Sequence, residues 1–118
     1  VGAAMGGIEA VEPVEEWVFR DLSASTFSDE ERQLALDGID DVSDDLVTWE
    51  RPIGKVLTQI EHSGERTVYR YRKGDIRLFF IRKGATMYCI GVGKRKTTYD
   101  RDLTQIGKRS ENHPPDNG

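Results

Sequence analysis

The stretch from Thr67 to Tyr99, TVYRYRKGDIRLFFIRKGATMYCIGVGKRKTTY, constrains the fold more than any other part of the chain. Two glycine-bearing turns, Lys73-Gly74-Asp75 and Lys83-Gly84, divide it into three runs rich in aromatic and β-branched residues, the pattern of short antiparallel strands. Successive side chains of a strand point to opposite faces. The first run then sets Tyr69 and Tyr71 against Val68, Arg70 and Arg72. The second sets Ile76, Leu78 and Phe80 against Arg77, Phe79 and Ile81. Strict alternation in the third sets Tyr88, Ile90 and Val92 against Met87, Cys89, Gly91, Gly93 and Arg95. One face is apolar and aromatic, and the other collects Arg70, Arg72, Arg77 and Arg95 beside small residues.

The first half of the chain supplies what the apolar face needs. Val14, Trp17, Val18 and Leu22 follow helical spacing, and Pro13 suits the opening position of that helix. Ser28 with Glu31 forms a capping-box pair ahead of a second helix, whose buried stripe reads Ala35, Ile39, Val42 and Leu46. Gly38 interrupts that helix, and five aspartates from Asp37 to Asp45 cover its other sides, the pattern of a solvated surface. Trp49–Lys55 reads as a connector with Trp49 tucked against the core. Val56–Ile60 fits either a short strand or an extended lead-in, and Ser63-Gly64-Glu65 reads as a turn into the sheet. Asp100 can cap a short terminal helix reaching about Lys108. No initial strand is evident; Gly7–Val11 is the one candidate.

The expected fold class is α+β: two N-terminal helices packed on one face of a small antiparallel sheet, followed by a short C-terminal helix. With 118 residues there is room for a single domain. It is expected over 11–109, with a flexible leader at 1–10 and a disordered tail at 110–118.

Charge is divided unevenly. The first 50 residues carry a balance of −12 and the remainder +8, giving the net −4. This suggests a basic working surface on an acidic scaffold. Cys89 is the only cysteine, and the two histidines, His62 and His113, are far apart, so a disulfide, a zinc site or a Ser/His/Asp triad is not expected. No cofactor, metal or membrane segment is implied, and the composition suits a reducing cytoplasm.

Arginine clustered on adjacent strands suits phosphate, because its planar fork makes paired, charge-assisted hydrogen bonds. The sequence YRYRKGDIRLFF, then an apolar strand, then GVGKRKTTY, resembles the RelE/ParE superfamily of toxins from toxin–antitoxin systems. The resemblance is strongest over 67–99 and extends to the two helices before it. It implies a RelE-like microbial-RNase fold and, for the RelE branch, cleavage of messenger RNA on the ribosome, restrained by a cognate antitoxin. Arg77 matches the arginine of the family's central strand, Arg95 its active-site arginine, and Tyr99 the tyrosine that follows. Arg70 stands where RelE-type toxins carry a lysine, and Val68 where they often carry a second one. Arg72, Lys73, Lys94 and Lys96 are the accompanying candidates for RNA binding. The implied reaction is attack of an RNA 2′-hydroxyl on the adjacent phosphate. A ParE-like gyrase poison and a non-catalytic RNA- or partner-binding relative are the alternatives.

Overall fold

The computed structural model describes residues 7–24, 27–60, 67–94 and 99–111, with the backbone alone over 99–104. The order of elements is β1 (Ala10–Pro13), α1 (Glu15–Leu22), α2 (Asp29–Ser43), a π-helical turn (Asp44–Thr48), α3 (Ile53–Val56), β2 (Thr58–Ile60), β3 (Val68–Lys73), β4 (Ile76–Lys83), β5 (Thr86–Lys94) and α4 (Tyr99–Glu111). The five strands form one sheet in the order β1-β5-β4-β3-β2. It is mixed: β2 to β5 pair antiparallel, while β1 lies parallel to β5 with Pro13 opposite Cys89. The class is α+β, as expected, but the sheet is larger than expected and not purely antiparallel.

Pro13 closes β1 and does not open a helix. An edge strand tolerates a residue without an N–H, and Val14 N–H resumes the bonding by donating to Cys89 O at 2.8 Å. The fold is already anchored at Ile8, which is buried within the expected leader, and Glu9 N–H donates to Ala85 O at 2.7 Å.

The three-strand core of the sheet follows its sequence pattern through both turns. Gly74 and Gly84 take positive φ, +60° and +62°, which a side chain would resist. The proposed turn at 63–65 lies outside the described residues. The alternation in β3 and β4 is as the sequence dictates, but β5 departs from it. Phe79 pairs with Gly91 and Phe80 with Cys89, so Ile90 is an extra residue, a β-bulge. Past the bulge the parity reverses: Val92 joins Met87 and Cys89 in one core cluster, while Ile90 lies in the other.

Both faces of the sheet are covered. On one, Ile76, Leu78, Phe80, Met87, Cys89 and Val92 pack with Ala35, Ile39, Val42 and Leu46 from α2 and its extension. The capping box opening α2 is present in full: Ser28 Oγ accepts from Glu31 N–H at 3.2 Å, and Glu31 Oε1 accepts from Ser28 N–H at 2.9 Å. Gly38 has a packing role, since a Cβ there would lie 2.7 Å from Leu78 Cδ1. The missing methyl lets α2 approach the sheet, offsetting the roughly 1 kcal/mol of helix propensity that glycine costs.

The opposite face, expected to be open to solvent, is half core. Val68, Phe79, Ile81 and Ile90 pack there beneath Ile106 of α4. Helix α1 and its N-cap serve both layers: Val18 and Leu22 enter the first cluster, while the N-cap Val14 and Trp17 pack against the second. Trp49 is not tucked in; it is 67% exposed. The π-helical turn explains this. Trp49 N–H reaches back five residues to Asp44 O, and the wider turn carries position 49 out of the buried stripe that ends at Leu46.

Candidate functional site: an arginine face beside a docked helix

The pairing of β3 with β4 sets Arg72 opposite Arg77 and Arg70 opposite Phe79. On the far side of Arg77 the partner in β5 is Gly93, which leaves that flank without a side chain. Arg70, Arg72 and Arg77 therefore share one face of the sheet, as the sequence pattern indicates, with Arg72 and Arg77 beyond the Val68–Ile106 cluster and Arg70 at its border opposite Phe79.

The three differ in exposure. Arg72 is exposed and Arg70 half-buried, whereas Arg77 is only 6% accessible. Its Nη1 donates to the turn carbonyl of Gly74 at 2.8 Å and to Ile76 O at 3.1 Å. The guanidinium is held in a fixed plane by the hairpin it belongs to. Val68 is fully buried in the cluster under α4. An apolar residue serves that cluster, and a lysine at this position would carry its stem through it.

Lys73 and Lys94 lie on the other face. Lys73 Nζ pairs with Asp41 Oδ2 on α2 at 2.5 Å, and Lys94 Nζ pairs with Glu31 Oε2 at 3.0 Å while sitting 5.8 Å from the ring centroid of Phe27. The hydrogen bond from Lys73 to Asp41 holds its pKa above the ordinary lysine value. The Glu31 carboxyl is held below the usual carboxylate value, first by the Ser28 N–H and then by Lys94. The aspartate-rich helix is thus not merely solvated. Arg95 and Lys96 lie outside the described residues; Tyr99 is the first residue of α4, its side chain also outside them.

Sequence reasoning missed a buried ion pair. Arg109, near the end of α4, makes a two-pronged ion pair with Asp21 of α1: Nη1 to Oδ2 at 2.8 Å and Nη2 to Oδ1 at 3.0 Å. Both side chains are largely buried, at 5% and 13% exposure. Nη1 also donates to Ile90 O at 3.0 Å, and Asp21 Oδ2 accepts from Val92 N–H at 2.9 Å. These are the backbone groups flanking the bulge, which the sheet ladder leaves to side chains. Trp17 lies beneath the guanidinium, 5.5 Å from centroid to Cζ. Gly91 leaves room for all of it. No local signal could announce a contact spanning 88 residues.

Among the described residues no group of three or more His, Cys, Asp or Glu side chains could hold a metal ion. Among the described residues no helix is long and apolar enough to cross a membrane. Fold and site together define an α+β domain with a mixed five-stranded sheet, one face of which carries arginines. No protein-family model matches the chain, and no curated protein does. Among solved structures it is similar to the archaeal RelE-RelB complex from Pyrococcus horikoshii OT3, at 19% identity and a TM-score of 0.47, over 75% of this chain and 96% of that one.

Proposed function

We propose that the chain is the toxin of a type II toxin–antitoxin pair, a ribosome-dependent mRNA endonuclease that binds RNA across the arginine face and is restrained by a cognate antitoxin. The observation that supports this most is the register setting Arg72 opposite Arg77, with Gly93 beside them. Like charges directly opposite on adjacent strands concentrate positive potential at one spot of the face, which suits an anion. A phosphate backbone supplies that anion.

In this reading Arg72, the exposed member, meets the phosphate, and Arg70 and Arg77 support it from the half-buried and buried side. The RNA 2′-oxygen attacks the adjacent phosphorus, the bond from phosphorus to the 5′-oxygen breaks, and that oxygen takes up a proton as a cyclic phosphate forms. Charge growing on the phosphoryl oxygens is met by guanidinium groups already in place, the arrangement that electrostatic catalysis needs. The hydrogen bonds from Arg77 to the hairpin carbonyls serve that fixity. The resemblance adds Arg95 as a further charge at the phosphate and Tyr99 as a proton carrier or stacking platform. An arginine is a poor base, since its pKa exceeds about 12, so proton transfer falls to Tyr99 or to a group on the ribosome.

The test is expression of the wild-type chain, Arg72→Ala and Arg95→Ala in cells, with RNA 5′ ends mapped. Growth arrest with cleavage inside translated codons, lost in both variants, is the expected result. Arrest with broken DNA and intact mRNA would move the chain to the gyrase-poison class, and no arrest at all to the non-catalytic one.

A further inference from the structure

The basic half of the chain does not present all its lysines to solvent, and the two described lysines of β3 and β5 are taken up in the same way. Lys73 ends β3 and Lys94 ends β5; each reaches across to α2, where Asp41 and Glu31 receive them. Both lysines retain partial exposure, 30% and 20% of the side chain, so release would return them to solvent without unpacking the core. Asp41 is further tied by Tyr71 Oη, which donates to its Oδ2 at 3.4 Å, and Glu31 by its place in the capping box.

We propose that Asp41 and Glu31 act as intramolecular decoys for phosphate: they withhold Lys73 and Lys94 from polyanions and confine RNA to the arginine face on the other side of the sheet. This deepens the RNA-binding reading and rests on it for the site of wild-type binding. The physical logic is that of specificity by exclusion, in which an unwanted mode is blocked instead of the wanted one being strengthened. A lysine is a point charge that serves any phosphate equally well. Left free on the helix-covered face, these two would hold RNA where Arg70, Arg72 and Arg77 could not reach it.

Two substitutions test this without disturbing the fold. Asp41→Asn keeps an acceptor for Tyr71, and Glu31→Gln keeps the capping box, which glutamine also satisfies. The matched control is Asp40→Asn with Asp44→Asn, which removes the same charge from exposed positions of the same helical segment. Binding of a labelled single-stranded RNA oligonucleotide is measured by anisotropy from 50 to 300 mM salt. Each lysine that gains a phosphate steepens the log–log salt dependence by about 0.7. The Asp41→Asn/Glu31→Gln chain should therefore show a slope steeper than wild type by about 1.4 and bind on the order of tenfold more tightly at 0.1 M salt. The control should keep the wild-type slope.

An unchanged slope in the decoy variant overturns the proposal, as does an equal change in the control, which would reduce the effect to net charge. Absence of RNA binding by every chain also overturns it. Binding by the decoy variant alone upholds the decoys while removing the arginine face as the wild-type RNA site.

Discussion

A methyl group added at Gly91 probes the joint on which α4 depends. The Cβ of an alanine there would lie 2.3 Å from Ile106 Cδ1, 3.0 Å from Arg109 Nη1 and 3.2 Å from Asp21 Oδ2. Carbon atoms in contact prefer about 3.5–4.0 Å, so α4 must shift by more than an ångström or Ile106 must leave its rotamer. Neither is easy, because Ile106 is 2% exposed and Arg109 is held by three hydrogen bonds. Overpacking of this kind costs about 1–3 kcal/mol, and the upper end is expected for Gly91→Ala. Ile106→Val deletes the clashing Cδ1 and by itself should cost about 0.5–1.5 kcal/mol. The double variant should then be more stable than the sum of the two by about 1 kcal/mol, a coupling typical of residues in direct contact. Urea titrations followed by tryptophan fluorescence and far-UV circular dichroism measure all three. Additive losses would refute the reasoning, since they would mean that the alanine does not meet Ile106.

Four further outcomes follow from the structure. Asp21→Asn leaves the Arg109 charge buried without its counter-ion and should cost about 3–5 kcal/mol. The paired change Asp21→Leu with Arg109→Met should recover only part of this, because Val92 N–H and Ile90 O are orphaned at about 1–3 kcal/mol each; full recovery by chemical denaturation would show that these groups find other partners. The lowered pKa of Glu31 means that its stabilising contribution is present above the ordinary value of 4.5 and is lost as pH falls through the still lower folded value. Urea midpoints between pH 3 and 6 should thus decline less steeply below about 4.5 in Glu31→Gln, and identical slopes would refute the assignment. Cys89 is fully buried and its thiol is pushed up to about 12 by desolvation. Iodoacetamide at neutral pH should accordingly label it only at the rate of unfolding, and rapid stoichiometric labelling of the native chain would contradict its burial.

The sequence made the local rules legible and left the non-local ones hidden. Ser28 and Glu31, the stripe from Ala35 to Leu46, and the two hairpin glycines act within a few residues, and each is found where its pattern puts it. The faces of β3 and β4 were readable for the same reason, because a strand's parity is local. Parity failed in β5, where a bulge at Ile90 needs no special residue and is stabilised from outside the strand by Asp21 and Arg109. The candidate initial strand at Gly7–Val11 overlaps β1 only at Ala10 and Val11, because the four residues of β1 gain their extended form from the neighbouring edge of β5 and not from their own propensity. Trp49 misled because its exposure is set by a π-helical turn whose phase no apolar count reveals. For the candidate site, Arg70, Arg72 and Arg77 were legible as one face; that Lys73 and Lys94 are held on the other was not, because both partners lie on a distant helix.

The distribution of charge then has a physical reading that composition alone did not supply. Two ion pairs between helix and sheet join an acid of α2 to a lysine of the sheet, Asp41 to Lys73 and Glu31 to Lys94. The acidic first half of the chain is in part the electrostatic complement of the basic second half, so the opposite balances of the two halves overstate how much positive charge is displayed. What remains on the other face is arginine, and there Arg72 stands across from Arg77. Such a pair weakens the sheet by about 0.2–1 kcal/mol relative to neutral neighbours. A chain that pairs Lys73 and Lys94 with acids of α2 yet sets two arginines opposite one another concentrates positive charge at one spot of the sheet. The largely buried ion pair of Asp21 with Arg109 holds the joint of α4. Two guanidinium groups opposed in register, Arg72 exposed and Arg77 held by the hairpin carbonyls, form the local positive charge on which the proposed RNA contact rests.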